Sequence, residues 1–176
     1  MRIAFSGSHC VGKSTLLAAV AEALPRHTLV DEPYHLLEEE GYEHNDPPTL
    51  EDFIAQLERS LGVLEDAGPE TLFDRSPADV LAYLLAHEDA EAFEGEEWME
   101  AIRSAMQSLD LIVFVPIERP DRIAVPAHED LRYRARVHKK LERILLDDTY
   151  DFGLEALLVE GDLRTRRDLV LRRARI

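Results

Sequence analysis

Short apolar runs alternate along the chain with longer segments in which apolar residues recur every three or four positions. The second pattern has the period of an amphipathic helix, as between Thr49 and Gly68, whereas runs of three to five apolar residues have the length of buried strands. This alternation predicts an α/β protein. The five expected strands, all predicted to be buried, are Ile3–Phe5, Thr28–Val30, Thr71–Phe73, Leu111–Val115 and Leu157–Val159.

Capping residues predict where several helices begin. Thr49 and Asp52 have the spacing of a capping box, and Ser76-Pro77 places a proline at the first helical position. Thr165 and Asp168 predict the start of a last, basic helix whose arginines run as far as Arg175.

Strands that alternate with helices predict parallel strands joined by right-handed crossovers. We therefore expect one α/β domain over residues 1–176, with a five-stranded parallel sheet and helices on both faces. Ligands bind such sheets at the carboxyl ends of the strands. The segments to inspect are 6–15, 31–35, 74–76, 116–136 and 160–164.

The first of these segments contains the sequence Gly-Ser-His-Cys-Val-Gly-Lys-Ser-Thr, between an apolar strand and an amphipathic helix. The glycines permit the backbone angles of a loop whose N–H groups surround phosphate oxygens, and the following helix adds the positive end of its dipole. In this motif the lysine reaches the β- and γ-phosphates and the serine hydroxyl binds Mg²⁺. The motif makes the expected fold that of a P-loop NTPase. The predicted nucleotide-binding residues are Gly7, Ser8, His9, Cys10, Val11, Gly12, Lys13, Ser14 and Thr15.

Composition narrows the class of protein. Residues 31–100 hold 22 of the 36 acidic residues and only two bases, and the net charge of −16 argues against a nucleic-acid-binding surface. No apolar run is long enough to span a membrane, and Cys10 is the only cysteine. Because the first strand runs directly into the loop, we also expect no signal peptide. We expect a cytoplasmic protein that binds neither nucleic acid nor membrane; the histidines show no zinc-binding spacing.

Two missing motifs exclude the regulatory GTPases. The chain lacks the Asn-Lys-x-Asp motif with which these GTPases recognise guanine. It also lacks their Asp-x-x-Gly motif after the third strand, where it has Phe73-Asp74-Arg75-Ser76 instead. The chain is also short for a mechanochemical ATPase, which leaves mainly the small phosphotransferases.

Several short motifs resemble those of deoxyribonucleoside kinases and of the kinase-like AAA domains related to nicotinamide riboside kinase. Glu32-Pro33 follows strand two, and Asp74-Arg75-Ser76 follows strand three. Arg132, Arg134 and Arg136 look like the arginine-rich lid of these kinases, and residues 157–162 like their last strand and adenine-side loop. The resemblance implies that Glu32 is the general base that accepts the proton of an attacking hydroxyl, and that Gln56 pairs with a nucleobase.

The remaining roles follow from position and chemistry. Asp74, at the end of a buried strand, is expected to hold Mg²⁺ together with Ser14, and the planar fork of Arg75 to bind the acceptor hydroxyl or a transferring oxygen. Because Arg132 and Arg136 are four residues apart, they lie on one helical face; there they would clamp phosphates as part of a lid over residues 118–136. The adjacent Asp31 would point away from Glu32.

The sequence thus predicts an ATP- and Mg²⁺-dependent kinase for a hydroxyl group of a small molecule, with a nucleoside as the favoured acceptor. One alternative is a nucleotide-binding ATPase or switch that controls a partner, and another is a kinase for a non-nucleoside acceptor. The oligomeric state is left open, with a homodimer as one option.

Overall fold

Five parallel strands form one sheet in a computed structural model of the protein, which describes residues 1–174. The strand order is β2-β3-β1-β4-β5, and every neighbouring pair is parallel. The predicted fold class is confirmed. The strands are β1 (Arg2–Ser6), β2 (Thr28–Val30), β3 (Thr71–Asp74), β4 (Leu111–Phe114) and β5 (Ala156–Leu158).

The segments between the strands are mainly helical. Two single 3₁₀ turns, Ala90–Ala92 and Gly95–Trp98, precede the fifth helix. Within residues 1–174 the α-helices are α1 (Lys13–Ala23), α2 (Pro33–Glu39), α3 (Leu50–Asp66), α4 (Pro77–Ala86), α5 (Met99–Gln107), α6 (Leu131–Leu145) and α7 (Leu163–Arg173). None of these described helices combines the length and the apolar character needed to cross a bilayer.

The sheet buries both of its faces. Ile3 and Phe5 of β1 point into an apolar cluster with α1 and α7, whereas the intervening Ala4 points into a second, larger cluster with α3, α4, α5 and α6. The central strands β1, β3 and β4 are buried on both sides, which explains why β4 is entirely apolar and why the middle residues of β1 and β3 are apolar.

The prediction that all five strands are buried is wrong for the two at the edges. Leu29 of β2 is 53% exposed and Leu158 of β5 is 42% exposed. Each edge strand has only one neighbour, so its outer side is left to solvent. An apolar run of three residues does not distinguish a central from an edge strand, which is why the pattern alone misled.

Two of the three predicted helix starts are confirmed. Thr49 with Asp52 and Ser76 with Asp79 both form complete capping boxes. The third is wrong: α7 begins three residues earlier, because the Asp162 carboxylate accepts the Thr165 N–H at 2.8 Å, so that Asp162 and not Thr165 is the N-cap. Arg175 lies outside the described residues.

The Asp52 side chain organises the segment that leads into α3. Its fully buried carboxylate accepts hydrogen bonds from the Thr49 N–H at 2.7 Å, the Thr49 hydroxyl at 2.9 Å, the Tyr42 hydroxyl at 3.0 Å and the Asn45 amide at 3.1 Å. Burial by itself would raise the pKa of Asp52, but these donors outweigh it and lower the pKa from 3.8 to about 2.

We predict that Asp52→Asn lowers the free energy of unfolding by about 2 kcal/mol at pH 7, because the amide turns a donor toward other donors. A carboxylate with a lowered pKa stabilises the fold above its ordinary pKa and loses that effect as the pH falls toward the folded value. The deficit of the variant should therefore shrink between pH 4 and pH 2. Urea unfolding at several pH values measures it, with the exposed neighbour Glu51→Gln as control; a deficit equal at pH 7 and pH 2.5 would contradict the assignment.

Candidate phosphate-binding and transfer site

The predicted phosphate loop lies between β1 and α1, at the carboxyl edge of the sheet. Gly7 has φ +153°, and a Cβ there would stand 2.4 Å from the Val115 carbonyl oxygen, so no side chain fits. Gly12 and Cys10 take left-handed angles, φ +88° and +54°. Helix α1 starts at Lys13 without any acid in its first turn, so its N-terminal dipole is available to an anion.

Lys13 is buried inside the loop. Its Nζ donates to the Ser8 carbonyl at 2.9 Å, and only 6% of the residue is exposed. Burial, with the neighbouring Arg75 charge, lowers the pKa of Lys13 to about 8, while Asp74, Asp79 and Glu32 oppose the shift. A phosphate placed in the loop would favour the charged form of this amine.

Asp74 and Ser14, the two predicted Mg²⁺ ligands, are in contact. The Ser14 hydroxyl donates to Asp74 Oδ2 at 2.6 Å, and Asp74 Oδ1 is buried without a hydrogen-bond partner. Burial raises the pKa of Asp74, although Lys13 and Ser14 act against it. A hydroxyl beside a carboxylate with a vacant oxygen is the hard-oxygen donor set that suits Mg²⁺, which commonly takes one or two protein ligands and completes its shell with phosphate and water. The residues present therefore fit this ion.

Glu32 and Arg75 form an ion pair beside the loop. Arg75 Nε lies 2.5 Å from Glu32 Oε2, and Arg75 Nη1 donates to the Gly7 carbonyl at 3.3 Å. Burial alone would raise the pKa of Glu32, but the Arg75 guanidinium, helped by Lys13, holds that pKa below its ordinary value. Asp31 is exposed and accepts the Glu32 N–H, so of the two acids only Glu32 contacts Arg75.

Two residues that the sequence analysis did not place at the loop lie against it. Asp79 is fully buried; one carboxylate oxygen accepts the Gly7 N–H at 2.8 Å and the other accepts the Ser76 N–H and hydroxyl at 2.8 and 2.9 Å. The Tyr83 hydroxyl accepts the His9 N–H at 3.1 Å, and the Arg75 guanidinium lies 5.2 Å from the centre of the Tyr83 ring. The three-residue spacing of Ser76 and Asp79, which is that of a capping box, was the sequence signal available for Asp79.

The predicted lid arginines are divided between two sides of α6. Arg132 is exposed in the first turn, and Arg136 Nε donates to the Ala86 carbonyl at 3.3 Å, at the end of α4 that is remote from Ser76. Arg134 instead contacts the phosphate loop, where its guanidinium donates to the His9 and Cys10 carbonyls. Arg132 and Arg136 therefore share one side of α6, as predicted. The arginine that contacts the phosphate loop is Arg134, on the other side of that helix.

The segment from Val115 to Asp130 lies over the loop. Ile123 approaches Gly12 so closely that a Cβ there would be 2.8 Å from Ile123 Cδ1, and the Glu129 carboxylate lies 3.1 Å from His9 Nε2. Gln56 is buried on α3. Phe53 of α3 and Tyr83 of α4 are also buried, and their stacked rings have centroids 5.4 Å apart. Within residues 1–174 no group of three or more His, Cys, Asp or Glu is arranged to hold a metal.

Comparison with solved structures identifies the class of fold. The fold is that of P-loop kinases: the structure superposes on deoxyadenosine kinase from M. mycoides bound to dCTP with a TM-score of 0.72 and 16% identity over 99% of each chain. It superposes on thymidylate kinase from Candida albicans with a TM-score of 0.66 and 16% identity, covering 99% of this chain and 90% of that one. For NadR protein in complex with NAD and AMP-PNP the TM-score is 0.68 and the identity 16%, over 99% of this chain but only 49% of NadR.

A family model described as an AAA domain matches residues 2–166, nearly the whole chain. The protein therefore belongs to the AAA domain family. A search of curated protein sequences finds no significant match.

We predict that Lys13→Ala lowers the affinity for ADP by about 100-fold or more, since it removes the one ammonium inside the loop; each factor of ten equals about 1.4 kcal/mol. The unliganded variant should be no less stable than the native protein, because burial of this amine is itself unfavourable. Isothermal titration calorimetry and thermal unfolding measure the two effects. Lys139→Ala, an exposed lysine of α6, is the control; unchanged ADP affinity in Lys13→Ala would refute the loop assignment.

Proposed function

We propose that the protein is an ATP- and Mg²⁺-dependent phosphotransferase that acts on a hydroxyl group of a small molecule, with a nucleoside as the favoured acceptor. The Glu32–Arg75 pair beside the phosphate loop carries this proposal. Nucleotide binding alone needs no carboxylate next to the loop, whereas transfer to a hydroxyl needs a group that orients the nucleophile and takes its proton.

The donor nucleotide is assigned to the loop. The N–H groups at the start of α1 and the Lys13 ammonium bind its phosphates, and Ser14 with Asp74 would hold Mg²⁺, which neutralises charge on the phosphates when bound. Asp79 fixes the first residue of the loop through the Gly7 N–H. These contacts hold the reacting phosphate in place, which is the main contribution that proteins make to phosphoryl transfer.

Glu32 is assigned to the acceptor. Its lowered pKa keeps it ionised at neutral pH, so it can accept a hydrogen bond from a hydroxyl and then its proton. Such a carboxylate is a weak base, which suffices in a loose transition state where little negative charge develops on the nucleophile. Arg75 bridges Glu32 and the loop, so it positions the base and lies where a transferring oxygen would pass.

The choice of a nucleoside rests on charge and on the structural neighbours. Arg59 is the only base between residues 31 and 60, and it is paired with Glu40 at 2.8 Å, so nothing on this side favours a phosphorylated acceptor. Deoxyadenosine kinase is among the proteins with this fold, and another NadR structure contains NR. Gln56 and the Phe53–Tyr83 stack would then face a nucleobase.

Closure of residues 118–136 is the remaining part of the proposal. The exposed Arg132 would approach the phosphates when this segment moves, and Arg136 would have to leave the Ala86 carbonyl to do so. We place the protein in the cytoplasm, where ATP is available.

The test of the proposed function is Glu32→Gln, which keeps the size of the side chain but cannot accept a proton. ADP affinity should be retained, because the loop is untouched, and transfer to the best nucleoside of a panel should fall by about 10²- to 10⁴-fold. Product formation followed by chromatography measures the rate, and Asp31→Asn serves as the matched control. If no hydroxyl acceptor stimulates ATP consumption by the native protein, the protein is an ATPase or switch and the kinase proposal fails.

A second variant tests the metal ligands. Asp74→Asn should reduce turnover most at limiting Mg²⁺, and should change ADP affinity without Mg²⁺ much less, because the carboxylate acts mainly through the ion. Turnover measured against Mg²⁺ concentration decides it; a native rate at low Mg²⁺ would make Asp74 a purely structural residue.

A further inference from the structure

Three consecutive carbonyl groups of the phosphate loop accept hydrogen bonds from two buried arginines. Arg134 Nε donates to the His9 carbonyl at 3.0 Å, and Arg134 Nη2 donates to the Cys10 carbonyl at 3.1 Å. Arg166 Nη1 donates to the next carbonyl, that of Val11, at 3.0 Å. Two consecutive helices, α6 and α7, both more than 100 residues from the loop in the sequence, therefore contact its outer side.

Both guanidinium groups are almost excluded from solvent and are paired with carboxylates. Arg134 is 3% exposed and Arg166 is 6% exposed. Arg134 forms a two-pronged pair with Asp121, at 3.1 and 2.9 Å, and Arg166 Nη2 lies 3.1 Å from Glu118 Oε2. Buried charges persist where partners of this kind compensate their desolvation. The carboxylates therefore let the cations remain charged behind the loop.

The geometry of a phosphate cradle explains why such donors are needed. When successive N–H groups converge on a ligand, the carbonyls between them turn away from it, and each buried carbonyl needs a donor of its own. A guanidinium holds its donors in a rigid plane, which a lysine cannot do. Arg134 therefore fixes the relative orientation of two neighbouring carbonyls, and Arg166 fixes that of one carbonyl and the Glu118 carboxylate. A charged donor on a carbonyl also polarises the peptide unit and strengthens the N–H at its other end.

We propose that Arg134 and Arg166 are positioning residues that brace the phosphate loop, and that they set nucleotide affinity without touching the nucleotide. They act through the carbonyls of residues 9–11, which keep the adjacent N–H groups directed at the phosphates. The brace rests on the proposed nucleotide binding, but it does not depend on which acceptor, if any, is phosphorylated.

The experiment compares Arg134→Met and Arg166→Met with Arg134→Lys and Arg166→Lys, using the full chain and ADP. The matched controls are Lys139→Met on α6 and Arg164→Met on α7, both exposed. Each Arg→Met change should weaken ADP binding by at least about tenfold, as measured by calorimetry, whereas the controls stay within about twofold. Each lysine variant should recover less than half of that loss on a logarithmic scale, because it restores charge but not the fork. The double methionine variant should lose less than the product of the two single losses, since both act on one loop.

Amide NMR spectra of the unliganded protein provide the readout that a general loss of packing would not give. In the methionine variants the amide signals of residues 9–13 should shift and exchange faster with solvent, while those of the central strands keep their native positions. If a methionine variant does not fold, Asp121→Asn and Glu118→Gln replace it, since they leave the arginine but remove its carboxylate; they too should shift the loop amides and weaken ADP binding.

Native ADP affinity in Arg134→Met and Arg166→Met, or full rescue by lysine, would overturn the brace. Failure of the native protein to bind ADP would overturn both the brace and the proposed nucleotide site. A native protein that binds ADP but phosphorylates no acceptor would overturn only the proposed kinase function, and the comparison of the variants would still decide the brace.

Discussion

The phosphate loop has peptide groups that point away from the phosphate position, and each of these needs a hydrogen-bond partner. Much of the surrounding structure supplies those partners. At its start, Gly7 packs against the Val115 carbonyl, donates its N–H to Asp79 and accepts from Arg75. Further along, Arg134 and Arg166 take the carbonyls of residues 9–11. This arrangement requires β1 to lie between β3 and β4, because Asp74 and Arg75 come from the end of one neighbour and Val115 from the other.

Electrostatic compensation is local in this strongly acidic protein. The buried bases around the loop each have a nearby carboxylate, as Arg75 has Glu32 and Arg134 has Asp121. Burial lowers the pKa of Lys13 and raises the pKa of Asp74, because it removes the solvent that would stabilise the charged form of each group. A bound polyanion would place negative charge beside Lys13, and its metal ion would place positive charge beside Asp74.

The sequence was sufficient to predict those features that depend on residues close together along the chain. The glycines and Lys13 of the loop, the capping box at Thr49, the helix start at Ser76-Pro77 and the three central strands all follow from local pattern. The exposure of strands β2 and β5 could not be predicted from local pattern, because it depends on the order of the strands in the sheet.

The arginines show the same limit more sharply. Residues 132, 134 and 136 look equivalent as a basic cluster, but in α6 each step of two residues turns the side chain by about 200°. Arg134 lies at the helical spacing of the buried Val137 and Leu141, and Arg166 at that of the buried Val170. The position of these two arginines on an apolar helix face was therefore the sequence signal that their side chains are buried. The contact with a loop more than 120 residues away was not present in any local pattern.

Arg75 has a consequence for how stability and activity are balanced. Its φ of +80° lies in the left-handed region, which costs a residue with a side chain about 1–2 kcal/mol and which glycine adopts freely. A glycine at this position would relieve the backbone and leave Glu32 without its guanidinium. The strained backbone is therefore retained together with the Glu32–Arg75 ion pair, and position 75 is one where backbone geometry and side-chain chemistry favour different residues.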